Sequence, residues 1–279
     1  MRAIVALLAV FLASPVHAGE VLRDLSAPSA ALGRPLTYSI YKPDNAARDL
    51  PVVYLLHGRN SNPADWLDMA HAAQTADRLI AERKIPPCLI VLPDGGNSWY
   101  AGAMAAAIAT DLPAEIERRF GASPSRGQRA IAGNSMGGFG ALGIALAYPE
   151  RFVAAASMSG AFWTFLESET ALDETLQARV ARVFDGAFGT PFARANFLKH
   201  SAHALAVALP AAMPKPAIFL TAGETDFGTI QAQSDDLARM LKDKGFDVES
   251  ETAPGGHEWG TWERALPRAL EFIARRWAR

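Results

Sequence analysis

The sequence predicts an α/β protein built on a mostly parallel sheet with helices on both faces. Three observations carry that prediction. Short apolar runs alternate with helical patterns from Leu36 to the C-terminus. Several of these runs, such as Pro51–Leu56 and Cys88–Leu92, are apolar throughout, as strands covered on both faces must be. Finally, Gly133-Asn134-Ser135-Met136-Gly137 stands between an apolar run and an Ala- and Leu-rich helical stretch. That is the strand–turn–helix setting of a nucleophile elbow, G-x-S-x-G.

Taken in order, Leu36–Tyr41 alternates and begins the sheet, and Pro51–Leu56 follows as a buried strand. Asp65–Arg83 reads as one helix, with Trp66, Ala70, Ala73, Ala76 and Ile80 on one face. Cys88–Leu92 is the next strand. Ile108, Leu112, Ile116 and Phe120 recur every four residues and mark a helix that Pro113 either starts or kinks. The elbow strand is Gln128–Ala132, and its helix stops before Pro149. Phe152–Met158 and Ala217–Thr221 are further buried strands. Residues 228–244 form a helix stopped by Gly245, Asp247–Thr252 a last strand, and 261–277 a closing helix. Short connections favour right-handed crossovers. Residues 160–216 break the rhythm, with helical pieces rich in aromatics (Phe162, Trp163, Phe165, Phe184, Phe188) and no clear strand. They read either as a helical insertion covering the site or as ordinary surface helices.

Met1-Arg2, the apolar stretch Ala3–Ala13 and Val16-His17-Ala18 have the plan of a secretory signal peptide, too short to span a bilayer. An uncleaved anchor is the alternative. Cleavage after Ala18 leaves Gly19–Arg279, a length that suits one domain with a substantial core. No later stretch is apolar for long enough to span a membrane. Half the residues are hydrophobic, which excludes a disordered chain, and a net charge of −2 gives no electrostatic footprint for nucleic acid or membranes. The single cysteine, Cys88, cannot form an internal disulfide and reads as a buried small hydrophobe. Export without disulfides suits a periplasmic or secreted bacterial enzyme.

A serine hydroxyl becomes a useful nucleophile only when a base takes its proton. At an elbow serine the triad order is Ser, then Asp or Glu, then His. Three histidines follow Ser135. His200 and His203 lie in the helical region, spaced for a metal but without an evident third ligand. His257 lies in a Gly-rich loop between the last strand and the last helix, where a base belongs. Asp226, just past a buried strand, is the favoured acid, with Glu224 as its competitor. An oxyanion hole needs two backbone N–H groups. Met136, after the nucleophile, supplies one; Arg59, or else Gly58, supplies the other from the loop after Tyr54-Leu55-Leu56. His57 reads as shaping that loop, with a role as general base as the alternative.

These motifs give the chain a family likeness. Tyr54–Gly58, Leu92-Pro93-Asp94-Gly95-Gly96-Asn97-Ser98-Trp99-Tyr100, Gly133–Gly138 and Gly255-Gly256-His257-Glu258-Trp259 run along most of the chain. In this order the chain resembles the esterase family of α/β-hydrolases that includes S-formylglutathione hydrolases, feruloyl and acetylxylan esterases, enterochelin-type esterases and mycolyltransferases. The resemblance implies an α/β-hydrolase fold. It also implies Ser135 as nucleophile, Asp226 as acid, His257 as base, and Arg59 and Met136 as oxyanion donors. It places the 94–100 loop near the site, so that Asn97, Trp99 and Tyr100 touch substrate. Neither a metal nor an organic cofactor is expected. The expected substrate is a small-molecule or carbohydrate-linked ester. Acyl transfer to a sugar hydroxyl, peptide cleavage, or binding without catalysis are the rival functions. The signal peptide departs from S-formylglutathione hydrolases, which are typically cytosolic.

Overall fold

A computed structural model describes residues 19–44, 48–168 and 172–278. The expected signal peptide, Met1–Ala18, lies outside them. Eight strands form one sheet: β1 (Glu20–Ala27), β2 (Leu36–Lys42), β3 (Val52–Leu56), β4 (Leu89–Pro93), β5 (Arg129–Asn134), β6 (Ala154–Met158), β7 (Ala217–Gly223) and β8 (Val248–Ala253). Their spatial order is β1-β2-β4-β3-β5-β6-β7-β8. The pairs β1–β2 and β2–β4 are antiparallel, and every other pair is parallel. The sheet therefore begins one strand earlier than the sequence pattern indicates. In β1 the register shifts between Leu22 and Leu25, and Asp24 takes a positive φ of 55°. That bulge breaks the period-two signal.

The helices are α1 (Pro63–Asp68), α2 (Ala72–Ala81), α3 (Ala103–Ala106), α4 (Leu112–Phe120), α5 (Met136–Ala147), α6 (Phe165–Ser168), α7 (Glu174–Phe184), α8 (Arg194–Leu198), α9 (Ala202–Ala208), α10 (Ile230–Asp243) and α11 (Trp259–Ala274). The single helix expected over Asp65–Arg83 is two. A capping box on Asn62 and Asp65 starts α1, and His71, in the left-handed region at φ 47°, separates it from α2. A π-helical turn at Ala107–Asp111 joins α3 to α4 and brings Pro113 in at the second position of α4. There its missing N–H costs little.

Strands β3 to β7 are buried along their whole length because apolar layers cover both faces. One layer holds α4 and α5, the other α1, α2 and α11. Between β6 and β7 the described residues form α6–α9 and no strand. An aromatic cluster anchors this region: Phe184, Phe188, Phe192 and Phe197 pack on one another, and Phe139 of α5 meets Phe188 and Phe197.

The chain runs from β3 to β4 on one side, then crosses to β5 on the other side of β3. Ligand crevices of parallel sheets form at such a reversal, outside the carboxyl ends of the strands. Here that point is flanked by Gly58, after β3, and Ser135, after β5.

Candidate active site

The elbow follows from two close approaches and one strained residue. Ser135 sits at φ 53°, ψ −117°, a region costly for a residue with a Cβ. A Cβ on Gly133 would lie 2.5 Å from the Gly137 carbonyl carbon, and one on Gly137 would strike the Leu56 carbonyl oxygen. Both positions must be glycine for β5, α5 and the end of β3 to meet. Ser135 is thereby lifted to the head of α5, with its N–H bonded to the Met158 carbonyl at 2.9 Å. Met136 is the first helical residue, so its N–H has no acceptor within α5.

Three side chains far apart in sequence converge here. His257 Nε2 is 2.8 Å from Ser135 Oγ, and His257 Nδ1 is 2.8 Å from Asp226 Oδ1. A carboxylate only accepts, so Nδ1 carries the ring proton and the Nε2 lone pair faces the serine hydroxyl. The Asp226 side chain is fully buried and that of His257 is 13% exposed. Asp226 also accepts the N–H groups of Phe227 at 2.8 Å and Gly223 at 3.3 Å. Burial pushes its carboxyl up, but the His257 bond, its charge and the Phe227 N–H outweigh burial and leave it below the usual carboxylate range. The Ser159 hydroxyl, second only to the His257 bond among these downward pulls, acts from a position that falls short of hydrogen-bond geometry. Glu224, the competing acid, is exposed, and its N–H bonds the Ala253 carbonyl in the adjoining strand. Rings brace the imidazole on two sides: Phe227 stacks on it at 4.7 Å and Trp262 meets it edge-on at 5.1 Å.

The loop after β3 is organised by His57, which is fully buried. Its Nδ1 donates to the Gly58 carbonyl at 2.8 Å, and its Nε2 accepts the Gly95 N–H at 3.0 Å. Both ring nitrogens are thus committed to backbone groups, and neither is bonded to Ser135. In a trans peptide the C=O and N–H point opposite ways. A Gly58 carbonyl turned toward His57 therefore turns the Arg59 N–H the other way. Gly58 adjoins Ser135, since a Cβ built on it would lie 3.5 Å from Ser135 Cβ.

Of the three residues expected at the substrate, Trp99 lines the cleft that opens at Ser135. Asn97 and Tyr100 bond within the loops instead. Asn97 exchanges hydrogen bonds with Asn60, and the buried Tyr100 hydroxyl donates to the His57 carbonyl at 3.1 Å. Trp99 and Tyr100 both sit at φ 53°. The Trp99 indole N–H bonds the Val183 carbonyl at 3.1 Å, so each strained aromatic is held by its own hydrogen bond. The cleft, of about 350 Å³, also has walls that the sequence did not single out: Ala161, Val183, Phe227 and Ile230. Trp163 and Phe165, noted only as aromatics of the helical region, line it too. Of the other histidines, His200 accepts the Gly102 N–H and His203 pairs with Glu167. Cys88 is buried, which pushes its thiol up to about 12.

The family model described as "Putative esterase" matches residues 29–273. The chain belongs to this esterase family. It is 27% identical over 245 residues to an acetyl esterase of Caldicellulosiruptor saccharolyticus, covering 84% of this chain and 87% of that protein. It is 32% identical over 149 residues to the esterase Rv1288 of Mycobacterium tuberculosis, covering 47% of this chain but only 30% of that longer protein. A solved ferulic acid esterase superposes with a TM-score of 0.72 at 22% identity, over 92% of this chain and 98% of the other. The expected α/β-hydrolase fold is thus the observed one, and the chain is an ester hydrolase.

Proposed function

We propose that this esterase is an exported serine carboxylic-ester hydrolase that works through an acyl-enzyme on Ser135. Ser135 Oγ attacks the ester carbonyl carbon while His257 Nε2 takes its proton. Asp226 accepts the Nδ1–H bond and stabilises the imidazolium that forms. The carbonyl oxygen, now an oxyanion, is met by the N–H groups of Arg59 and Met136. Collapse of the intermediate expels the alcohol, which leaves with the proton from His257. Water then gives a proton to His257 and attacks the acyl carbon, and His257 returns that proton to Ser135 Oγ as the acid is released. Small-molecule or carbohydrate-linked esters are the proposed substrates. The basic start, apolar run and small residues of Met1–Ala18 support export.

The observation that carries this reading is the unbroken line of 2.8 Å contacts from Asp226 through His257 to Ser135. Its test is hydrolysis of p-nitrophenyl esters by Ser135→Ala. A fall in kcat of at least about 10⁴-fold is expected, and undiminished turnover contradicts the mechanism.

A further inference from the structure

We propose that the acyl group this enzyme takes is bulky and uncharged, an aryl or medium-chain alkyl group, seated in the apolar cleft beside Ser135. The proposal rests on the acyl-enzyme reading above and names its substrate class.

The cleft offers about 350 Å³ next to the serine and imidazole, far more than the methyl of an acetyl group fills. Its walls are carbon: Trp99, Ala161, Trp163, Phe165, Val183 and Ile230. The polar groups that reach the cleft are spent on protein partners. The Arg59 guanidinium bonds the Asp185 carboxylate at 3.1 Å and the Arg182 carbonyl at 3.2 Å. Gln233 donates to the Thr229 hydroxyl at 2.6 Å and accepts the Thr164 N–H at 3.4 Å. An ionised substrate group entering here would lose its water and meet no free counter-charge.

His257 must hand its proton to the leaving alcohol, so the alcohol lies on the imidazole side. On that side Phe227, a wall of the same cleft, stacks on the ring and is 68% exposed, so the imidazole end of the cleft is open to water. The acyl substituent is then left the rest of the cleft, which Trp99 and Trp163 line. Both indoles are propped by Phe184, at 4.7 and 5.3 Å, and Trp99 is tied to the Val183 carbonyl. The wall is built before substrate arrives, so little ordering cost offsets the gain of filling it.

Full burial of one methylene is worth roughly a fourfold gain in affinity. In a half-open cleft about twofold per methylene is the working figure, so four added methylenes give on the order of tenfold. The test is kcat/KM of the purified protein for p-nitrophenyl acetate, hexanoate and 3-phenylpropanoate, repeated with Ala161→Leu. The expected result is hexanoate or 3-phenylpropanoate at least about tenfold above acetate, and whichever leads tells alkyl from aryl. In Ala161→Leu, which takes up room in the cleft, that ratio should fall at least about threefold. Each ratio is internal to one preparation, so loss of folded protein cancels. Acetate equal to or better than both overturns the proposal, as does a ratio indifferent to Ala161→Leu. Acetate hydrolysis that Ser135→Ala abolishes, with a flat acyl profile, overturns this proposal alone. No Ser135-dependent hydrolysis of any ester overturns the functional reading with it.

Discussion

Replacing His57 should impair catalysis although the residue makes no bond to Ser135. The buried ring holds the Gly58 carbonyl at 2.8 Å and the Gly95 N–H at 3.0 Å. His57→Leu leaves both backbone groups unpaired, at about 1–3 kcal/mol each, so a stability loss of about 2–6 kcal/mol is expected. Freed from His57, the Gly58–Arg59 peptide can rotate, which on the proposed mechanism turns the Arg59 N–H away from the oxyanion. Loss of one oxyanion donor costs about 10²–10³-fold in kcat. Two amide variants separate position from stability. The amide nitrogen of His57→Asn falls where Nδ1 was and still donates to the Gly58 carbonyl, so kcat should stay within about tenfold of the parent. The longer His57→Gln reaches the Nε2 position, satisfies Gly95 and leaves the Gly58 carbonyl free. Its kcat should fall by about 10²-fold or more with KM little changed. The assay is steady-state kinetics on a p-nitrophenyl ester, normalised by active-site titration, with thermal melts alongside. Equal losses of kcat in the Asn and Gln variants, or losses that simply follow Tm, would refute the positioning argument.

Three further outcomes are expected. Asp226→Asn should leave the fold intact but lower kcat by about 10⁴-fold, because the amide favours the wrong imidazole tautomer; steady-state kinetics measures it. Asp226 ionises below its unfolded value of about 3.9, so the stability it contributes is complete above that pH and is lost as pH falls through the folded value. Urea melts between about pH 2 and 6 should show that acid loss in the parent and a shallower one in Asp226→Asn. Gly133→Ala forces a methyl to 2.5 Å from the Gly137 backbone and should cost at least about 2 kcal/mol, seen as a Tm roughly 4–8 °C lower.

What could be read from the sequence follows a physical divide. The elbow was legible because its geometry admits few residues: glycine where β5, α5 and Leu56 touch, and a small polar residue on the strained turn. The central strands were legible because burial on both faces demands unbroken apolar runs. Strand β1 was not, since its bulge scrambles the alternation, and the break between α1 and α2 was hidden because His71 adopts a glycine-like backbone without being glycine. Asn97 and Tyr100 looked like substrate contacts because the family likeness brings their loop to the site; within it, side-chain direction decides, and both turn to backbone or loop partners. The cleft walls come from four separated stretches, around residues 99, 161–165, 183 and 227–233. Their aromatic content was visible in the sequence, but the face each residue presents depends on how α6, α7 and α10 pack, which no local pattern encodes.

The most direct measurement of the central claim is the site of covalent capture by a fluorophosphonate, mapped by peptide mass spectrometry in the active protein. One adduct is expected, on Ser135, formed quickly in the parent and at least about 10²-fold more slowly in His257→Gln, whose amide cannot serve as the base. An adduct on any other residue, or labelling of Ser135 that is indifferent to His257, would contradict it.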